Sequence, residues 1–204
     1  MLSIDKKINK FKNYIVMIHK KPISSEPSKL LTSFAKIIAE NASGLIVDIA
    51  CGYGRNAFYL STFGVPVLCV DNSKDSLQYI ESMIGVLSGN QKNKINLTTL
   101  EIDLIHDPWP FKNESLGAII SVHFYAKNIL TDFLNSLQIG GYFFIETISG
   151  RGGNYIDLPP HGFILETLGD SFEILHSKEK KVGPPKSNSA TIKLFAKKIK
   201  SYKN

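Results

Sequence analysis

The chain contains 204 residues, of which 43% are hydrophobic, and its formal net charge is +6. This length is enough for one domain with a sizeable core, and no apolar run approaches the ~20 residues that a membrane span requires. The first residues, MLSIDKKINKFKNY, are too charged for a secretory signal, so we expect a cytoplasmic protein that does not bind a membrane.

Both ends of the chain are basic. Residues 1–21 carry six lysines and one aspartate, and residues 176–204 carry nine lysines and one glutamate, which leaves a charge of −7 for the middle. We predict a basic N-terminal extension over 1–27, one domain over 28–199 and a C-terminal tail over 200–204. Basic ends are typical of a nucleic-acid surface and also of solvated termini. We favour the second interpretation.

The first predicted elements are a helix and a strand. Apolar residues in KLLTSFAKIIAENASG recur at helical spacing, and the stripe ends at Asn41 to Gly44. Leu45 to Ile49 is short and apolar on both faces, as is typical of a central parallel strand covered by helices. The helix therefore leads directly into the middle of a sheet.

Further strands and helices alternate after this point. The predicted elements are a helix from Arg55 to Phe63 closed by Gly64, a strand from Val65 to Val70, a helix N-capped by Ser73, strands in INLTTLEI and LGAIISV, a helix marked by Ile129, Phe133, Leu134 and Leu137, and a strand in GYFFIETI.

The two cysteines, Cys51 and Cys69, lie in or beside apolar runs. We therefore expect buried free thiols and neither a disulfide framework nor a zinc site.

The last two predicted strands differ from the others. SFEILHSKEKKVG and SATIKLFAKKI follow each other without a helix between them, which indicates an antiparallel hairpin at the edge of the sheet. The sequence thus predicts an α/β fold with a doubly wound, Rossmann-like, seven-stranded and mostly parallel sheet that ends in an antiparallel C-terminal hairpin.

Glycines and aspartates occur where ligands bind in such sheets, at the carboxyl ends of the strands. Gly52 and Gly54 allow a sharp turn and a close approach of the backbone to a ligand. Asp71 follows Gly52 by nineteen residues, close to the ~20-residue spacing at which a carboxylate reaches ribose hydroxyls. The loop lacks the third glycine of a pyrophosphate-binding turn, and Asp48 before it would repel phosphate and attract a cation. A ligand with a ribose and an ammonium group fits these charges.

The segments VDIACGYGRNAFYL, VPVLCVDNSKDSL and LEIDL resemble the first three motifs of the class I S-adenosylmethionine-dependent methyltransferases. CGYGRNAFYLSTFGVPV is similar to the tellurite-resistance-type small-molecule branch, which also carries an Arg-Asn pair after the glycine loop. The likeness covers about residues 28–148. NESLGAII departs from the family, because many members have a Phe-Asp pair before the fourth strand.

The resemblance implies a binding site for S-adenosylmethionine. Asp48 and the glycine-loop backbone would hold the methionine moiety, Asp71 the ribose, and Asp103 with the Leu104 backbone the adenine, while Ser121 to His123 would line the sulfonium. The cofactor-binding residues expected from it are Asp48, Ala50, Cys51, Gly52, Gly54, Arg55, Asn56, Asp71, Asn72, Asp103, Leu104 and Ser121. Structural alternatives remain open: Asp48 as a helix cap, Asp71 as an Asx-turn before Ser73, and Asp103 as a turn residue.

The expected catalytic residues are His123, Tyr125 and Asn154. His123 is the one histidine predicted at the carboxyl end of a strand, which makes it the candidate general base. The alternative, that His123 to Tyr125 only close that strand, remains open. Asn154 lies in a polar loop, Ser149 to Gly162, that we expect to face the acceptor. The fourth strand ends in SVHFYAKN and lacks the Asn-Pro-Pro-Tyr type motif of enzymes that methylate amino groups in DNA.

Methyl transfer to a small-molecule acceptor is the function that the sequence favours. Two alternatives remain: an RNA or protein methyltransferase that docks through its lysine-rich ends, and a methyltransferase-like protein that binds the cofactor without transferring the methyl group. The absence of a separate predicted substrate domain favours a small acceptor, whereas the basic ends favour nucleic acid.

Overall fold

The computed structural model describes residues 26–88, 95–148 and 158–202. The strands within these ranges are β1 (Leu45–Ile49), β2 (Val67–Asp71), β3 (Leu97–Glu101), β4 (Leu116–Val122), β5 (Leu137–Glu146), β6 (Phe172–Lys181) and β7 (Ala190–Lys198). The helices are α1 (Lys29–Asn41), α2 (Arg55–Ser61), α3 (Lys74–Ser88), α4 (Leu130–Ser136) and α5 (Phe163–Leu168), with short 3-10 turns at Lys127–Ile129 and Gly169–Ser171. No described helix is both long and apolar enough to cross a membrane.

The strands form one sheet in the order β3-β2-β1-β4-β5-β7-β6. Strands β1 to β5 pair in parallel, and β7 runs antiparallel to both β5 and β6. This confirms the predicted fold. The structure adds the order within the C-terminal hairpin: β7 lies inside the sheet and β6 forms its edge.

Helix α5 is an element that the sequence analysis does not assign. It has six residues and buries Ile164 and Leu168, so it offers a single i, i+4 apolar pair. A periodic pattern is recognised over a window of about 11 to 18 residues, and this helix is too short to produce one.

Both faces of the sheet are covered, which explains the continuous apolar runs of the parallel strands. Along β1, Ile46 belongs to the core under α1, α2 and α3, whereas Val47 and Ile49 belong to the core under α4 and α5. Cys51 and Cys69 are buried and free, as expected.

The strand order reverses between β1 and β4, because the chain proceeds from β1 towards β3 and then crosses to the other side. A crevice therefore opens beyond the carboxyl ends of these two strands. We call this side of the sheet the carboxyl edge, and the opposite side, where β1 and β4 begin, the amino edge.

Residues next to the predicted domain boundaries contact the domain. The Arg55 guanidinium donates to the carbonyl of Glu26 at 3.2 Å, in the segment before α1. At the other end, the Tyr202 ring lies 6.4 Å from the ring of Phe172, and the Ser201 hydroxyl donates to Glu114 at 2.8 Å. Most of the predicted N-terminal extension lies outside the described residues.

Candidate active site

The glycine loop turns tightly between β1 and α2. Ala50, Gly52 and Gly54 have positive φ angles of 50°, 54° and 77°. The Gly54 N–H donates to the Cys51 carbonyl at 3.0 Å, which closes the turn. A Cβ atom on Gly54 would lie 3.0 Å from the side chain of Ile80, whereas one on Gly52 would meet nothing within 4 Å. Gly54 is thus needed for packing, and Gly52 leaves open space beside the loop.

Asp48 is the next-to-last residue of β1 and is 1% exposed. Its Oδ2 accepts a hydrogen bond from the Ala57 N–H at 3.1 Å, so the proposed capping of α2 is present in the structure. Burial raises the pKa of Asp48 to about 7, although the Ala57 N–H and Arg55 oppose this shift. An additional cation beside this carboxylate would offset the cost of burying its charge. The site fits an ammonium group.

Asp71 connects the end of β2 to the glycine loop. Its Oδ2 accepts from the Gly52 N–H at 2.7 Å, and its Oδ1 accepts from the Ser73 N–H at 2.8 Å, which forms the Asx-turn. The Ser73 hydroxyl in turn accepts from the Ser76 N–H at 3.3 Å, so the predicted N-cap of α3 is present. Each carboxylate oxygen has a second lone pair, so the turn leaves Asp71 able to accept from hydroxyl groups.

Asp103 lies in the turn that follows β3. Its Oδ1 accepts from the Ile105 N–H at 2.9 Å, and its Oδ2 lies 3.0 Å from Nδ1 of His106. The hydrogen bond from His106 is the largest of the contacts that lower the pKa of Asp103, and the Asn72 side chain contributes as well. The turn interpretation of Asp103 therefore has direct hydrogen bonds to support it, and Leu104 beside it is buried.

The remaining residues expected from the resemblance have partners within the chain. The Asn56 side chain accepts from the Ser28 N–H at 2.9 Å, so the Arg-Asn pair fastens the segment before α1 to the start of α2. The Ser121 hydroxyl donates to the Phe124 carbonyl at 2.9 Å. A hydrogen bond with Cys69 and burial raise the pKa of the Cys51 thiol, which keeps this thiol protonated and unreactive.

His123 follows β4 in a left-handed conformation, with a φ of 65°. Its N–H donates to the carbonyl of Glu146 at 2.7 Å. Partial burial, followed by the charges of Arg55 and Lys193, lowers the pKa of the imidazole, and the charge of Glu146 opposes them. The imidazole is accessible to solvent and is neutral at pH 7, so it is able to accept a proton.

Tyr125 has a buried hydroxyl group with no hydrogen-bond partner among residues 26–88, 95–148 and 158–202. Burial raises its pKa to about 12. A buried hydroxyl without a partner is costly, which points to a partner outside the described chain. Asn154 and most of its loop lie outside the described residues, but the end of that loop is fixed, because the His161 N–H donates to the Asn188 carbonyl at 2.7 Å.

A buried polar cluster beside His123 was not predicted from the sequence. Glu146 ends β5 and is 6% exposed; its Oε1 lies 2.5 Å from the ammonium of Lys193, and its Oε2 accepts from the Ser28 hydroxyl. The signal was present in the sequence: Glu146 ends the apolar run GYFFIE in the same way that Asp48 and Asp71 end or nearly end theirs.

Residues 13–148 match a protein-family model described as tellurite resistance protein TehB. No curated protein sequence is significantly similar to the chain. Among solved structures, TehB from Haemophilus influenzae has a TM-score of 0.60 and 18% identity, over 92% of this chain and 66% of that one. This chain thus spans slightly less than two thirds of that TehB.

Two further solved structures are similar. A geranyl diphosphate methyltransferase in complex with SAM has a TM-score of 0.60 and 12% identity, over 82% of this chain and 85% of that one. The tRNA (m1A58) methyltransferase TrmI from Aquifex aeolicus has a TM-score of 0.57 and 14% identity, over 93% of this chain and 76% of that one. At these identities the likeness concerns the fold.

Proposed function

Because the chain belongs to the tellurite resistance protein TehB family, we propose that it transfers a methyl group from S-adenosylmethionine to a small-molecule acceptor. The prediction of a class I methyltransferase of the tellurite-resistance type is confirmed by the family match and by the fold. The acceptor and the roles of individual residues are part of the proposal.

The observation that carries the proposal is the buried carboxylate of Asp48 beside an open glycine loop. Its charge is only partly offset by the Ala57 N–H and Arg55, which suits the ammonium group of a methionine moiety. A phosphate-containing cofactor would place negative charge against it. Asp48 thus favours S-adenosylmethionine over a dinucleotide.

The residues that would hold the cofactor lie at the ends of neighbouring parallel strands. We assign the methionine moiety to Asp48 and the backbone of Gly52 to Gly54, the ribose hydroxyls to Asp71, and the adenine to Asp103 with the Leu104 backbone. When bound, the cofactor supplies a methyl group already activated on a sulfonium. The protein then has to position the acceptor and remove its proton where necessary.

On the acceptor side we assign roles to His123, Tyr125 and Asn154. The neutral imidazole of His123 would accept a proton from the acceptor. The buried hydroxyl of Tyr125 would donate to a polar atom of the acceptor, which would supply the partner that it lacks among the described residues. Asn154 would contribute from the loop after β5.

An RNA acceptor is the second candidate, and the lysines of β6 are the observation that favours it. Lys178, Lys180 and Lys181 are exposed on this edge strand. A small acceptor is favoured because no described segment forms a separate substrate domain. We also propose a cytoplasmic location, which suits the two free cysteines.

Two measurements test the proposal. Calorimetry with S-adenosylmethionine, S-adenosylhomocysteine and NAD should show binding of the first two only; tight NAD binding without S-adenosylhomocysteine binding would overturn it. Enzyme and methyl-labelled cofactor should then be incubated with cell extract, and label should appear in the metabolite fraction. Label confined to RNA or to protein would replace the small acceptor by the corresponding alternative, and binding without any labelled product would indicate a non-catalytic protein.

A further inference from the structure

The cluster around Glu146 joins five separate parts of the chain at the carboxyl edge. Its backbone carbonyl accepts from the His123 N–H, and its side chain contacts Ser28 before α1 and Lys193 on β7. Ser28 also donates through its own N–H to Asn56 on α2. Glu146 is therefore linked to the end of β4, to β7 and to the segment before α1 directly, and to α2 through Ser28.

The Glu146 carboxylate has both oxygens occupied. Burial alone would raise its pKa, but the hydrogen bonds from Lys193 and Ser28 outweigh burial and lower it. Glu146 consequently stays ionised at neutral pH, and its oxygens are directed to partners of its own chain. It is unsuited to be the base that takes a proton from an acceptor, and that task is left to His123.

The charges that act on the imidazole come from three elements. Arg55 of α2 and Lys193 of β7 disfavour the imidazolium, whereas Glu146 of β5 favours it. Lys193 and Glu146 form an ion pair of 2.5 Å, so their effects on His123 largely cancel while both are present. Removing one partner exposes His123 to the charge of the other.

We propose that Glu146 and Lys193 act as a pair of positioning residues for the methyl-acceptor site, fixing His123 at the end of β4 and balancing the charge beside its imidazole. This inference rests on the proposed function, because a positioning role has meaning only if His123 acts on the acceptor. Neither residue touches the acceptor in this scheme.

The test is an NMR titration of the imidazole protons of His123, assigned with His123→Gln, in Glu146→Gln and Lys193→Met proteins. Glu146→Gln should lower the pKa of His123 and Lys193→Met should raise it, each by about 0.5 unit, since His123 and Lys193 are partly exposed to solvent, which screens these charges. Lys193→Arg keeps the charge and should restore the original value. Glu173→Gln and Lys180→Met, on β6, are matched controls that should leave it unchanged.

Opposite shifts distinguish positioning from a loss of structure, because unfolding or loosening would move both variants towards the ordinary histidine value. Shifts in the same direction, or none, would overturn the inference. With an identified acceptor, the acid limb of the kcat profile should move with the His123 pKa, and an unmoved limb would also count against the inference.

Calorimetry with S-adenosylhomocysteine separates this inference from the proposed function. Both variants should bind it as the unaltered protein does. If the unaltered protein fails to bind it, the proposed function fails, whereas opposite pKa shifts at His123 would still establish the charge balance of the pair.

Discussion

The two edges of the sheet treat their buried polar groups differently. At the amino edge, Lys198 is 1% exposed, and its ammonium donates to the carbonyls of Leu134 at 2.9 Å and Leu137 at 2.6 Å, which closes the end of α4. At the carboxyl edge, Asp48 has one N–H donor, and the Tyr125 hydroxyl has none among the described residues. Among the described residues, Lys198 at the amino edge and Glu146 at the carboxyl edge are paired within the chain, whereas Asp48 and Tyr125 at the carboxyl edge retain capacity for a further partner.

Glycines show the same contrast. A Cβ atom on Gly117, at the amino edge, would lie 2.5 Å from the Ser43 carbonyl oxygen, and one on Gly141 would lie 2.9 Å from the Gln138 carbonyl oxygen. A Cβ atom on Gly52, at the carboxyl edge, would meet nothing within 4 Å. Gly117 and Gly141 at the amino edge therefore serve close packing, as Gly54 does at the carboxyl edge, whereas Gly52 leaves open space at the carboxyl edge.

The strongest test of this contrast is the pH dependence of stability caused by Asp48. Its pKa in the folded protein is about 7, above the ordinary value of 3.8, so the folded state binds this proton more tightly than the unfolded state. The stability that protonated Asp48 provides is fully present below about pH 4 and is lost as the pH rises through 7, a change of about 4 kcal/mol.

Urea unfolding of the unaltered protein and Asp48→Asn between pH 4 and 8 measures this change. Asparagine does not ionise, so the free energy of unfolding of Asp48→Asn should gain on that of the unaltered protein as the pH rises. A difference that stays constant with pH would show that Asp48 is an ordinary ionised cap. Lys198→Met, at the amino edge, serves as a control. The difference between its free energy of unfolding and that of the unaltered protein should stay constant over this pH range.

The next largest effect is expected for Asp71→Ala. The variant loses a charged acceptor for two ribose hydroxyls, and hydrogen bonds to charged groups contribute about 1.5 to 3 kcal/mol each, so S-adenosylhomocysteine binding should weaken by about 3 kcal/mol in calorimetry. The fold should survive, since the hydrogen bond of the Asx-turn contributes less to folding than the two ribose hydrogen bonds contribute to binding. Asp75→Ala, on α3, is the control. Normal binding with a much lower melting temperature would make Asp71 a purely structural residue.

Alanine substitutions at Gly117, on the amino edge, and at Gly52, on the carboxyl edge, test the comparison further. Gly117→Ala should lower the free energy of unfolding by about 2 kcal/mol, because the new Cβ would overlap the backbone of Ser43 and overpacking costs about 1 to 3 kcal/mol. S-adenosylhomocysteine binding by the folded fraction should be unchanged. Gly52→Ala should cost about 1 kcal/mol through its positive φ and should weaken binding. If Gly117→Ala weakened binding and Gly52→Ala mainly lowered stability, the roles assigned to the two edges would be reversed.

The smallest effect is expected at the ends of the chain. Removing residues 1–20 or 200–204 should leave methyl transfer intact, apart from a slight loss of stability where Tyr202 no longer packs on Phe172.

Asn154→Ala and Tyr155→Ala, in the loop after β5, should lower activity. Activity on a neutral small acceptor should hardly depend on salt, whereas each phosphate contact adds about −0.7 to −0.9 to the log–log slope. If the truncated proteins were inactive and the activity of the intact protein fell steeply with salt concentration, an RNA acceptor would be favoured.

The sequence was sufficient to predict the strands and the glycine loop, because both depend on residues close together in the chain. Apolar runs identify β1 and β2, and Asp48 and Asp71 are recognisable because a carboxylate at the end of such a run is unusual. The hydrogen bonds that these carboxylates make were predicted only as alternatives, since local turn geometry and ligand binding favour the same residue types.

The cluster around Glu146 could not be predicted in the same way. Ser28 and Glu146 are separated by 118 residues, and Lys193 reaches them only because β7 inserts between β5 and β6. Nothing in the local sequence specifies that insertion. Ser121 is a second example: its position at the end of β4 was predicted, whereas the hydrogen bond from its hydroxyl to the Phe124 carbonyl was not.

The position of β6 at the edge of the sheet has a consequence for how copies of the protein behave when concentrated. An edge strand offers unpaired backbone groups to which another strand can add. In β6 the register is interrupted between Ile174 and His176, and Lys178, Lys180 and Lys181 follow on the exposed side. A broken register and closely spaced positive charges both oppose the addition of a second copy, so we expect these lysines to disfavour aggregation through this edge.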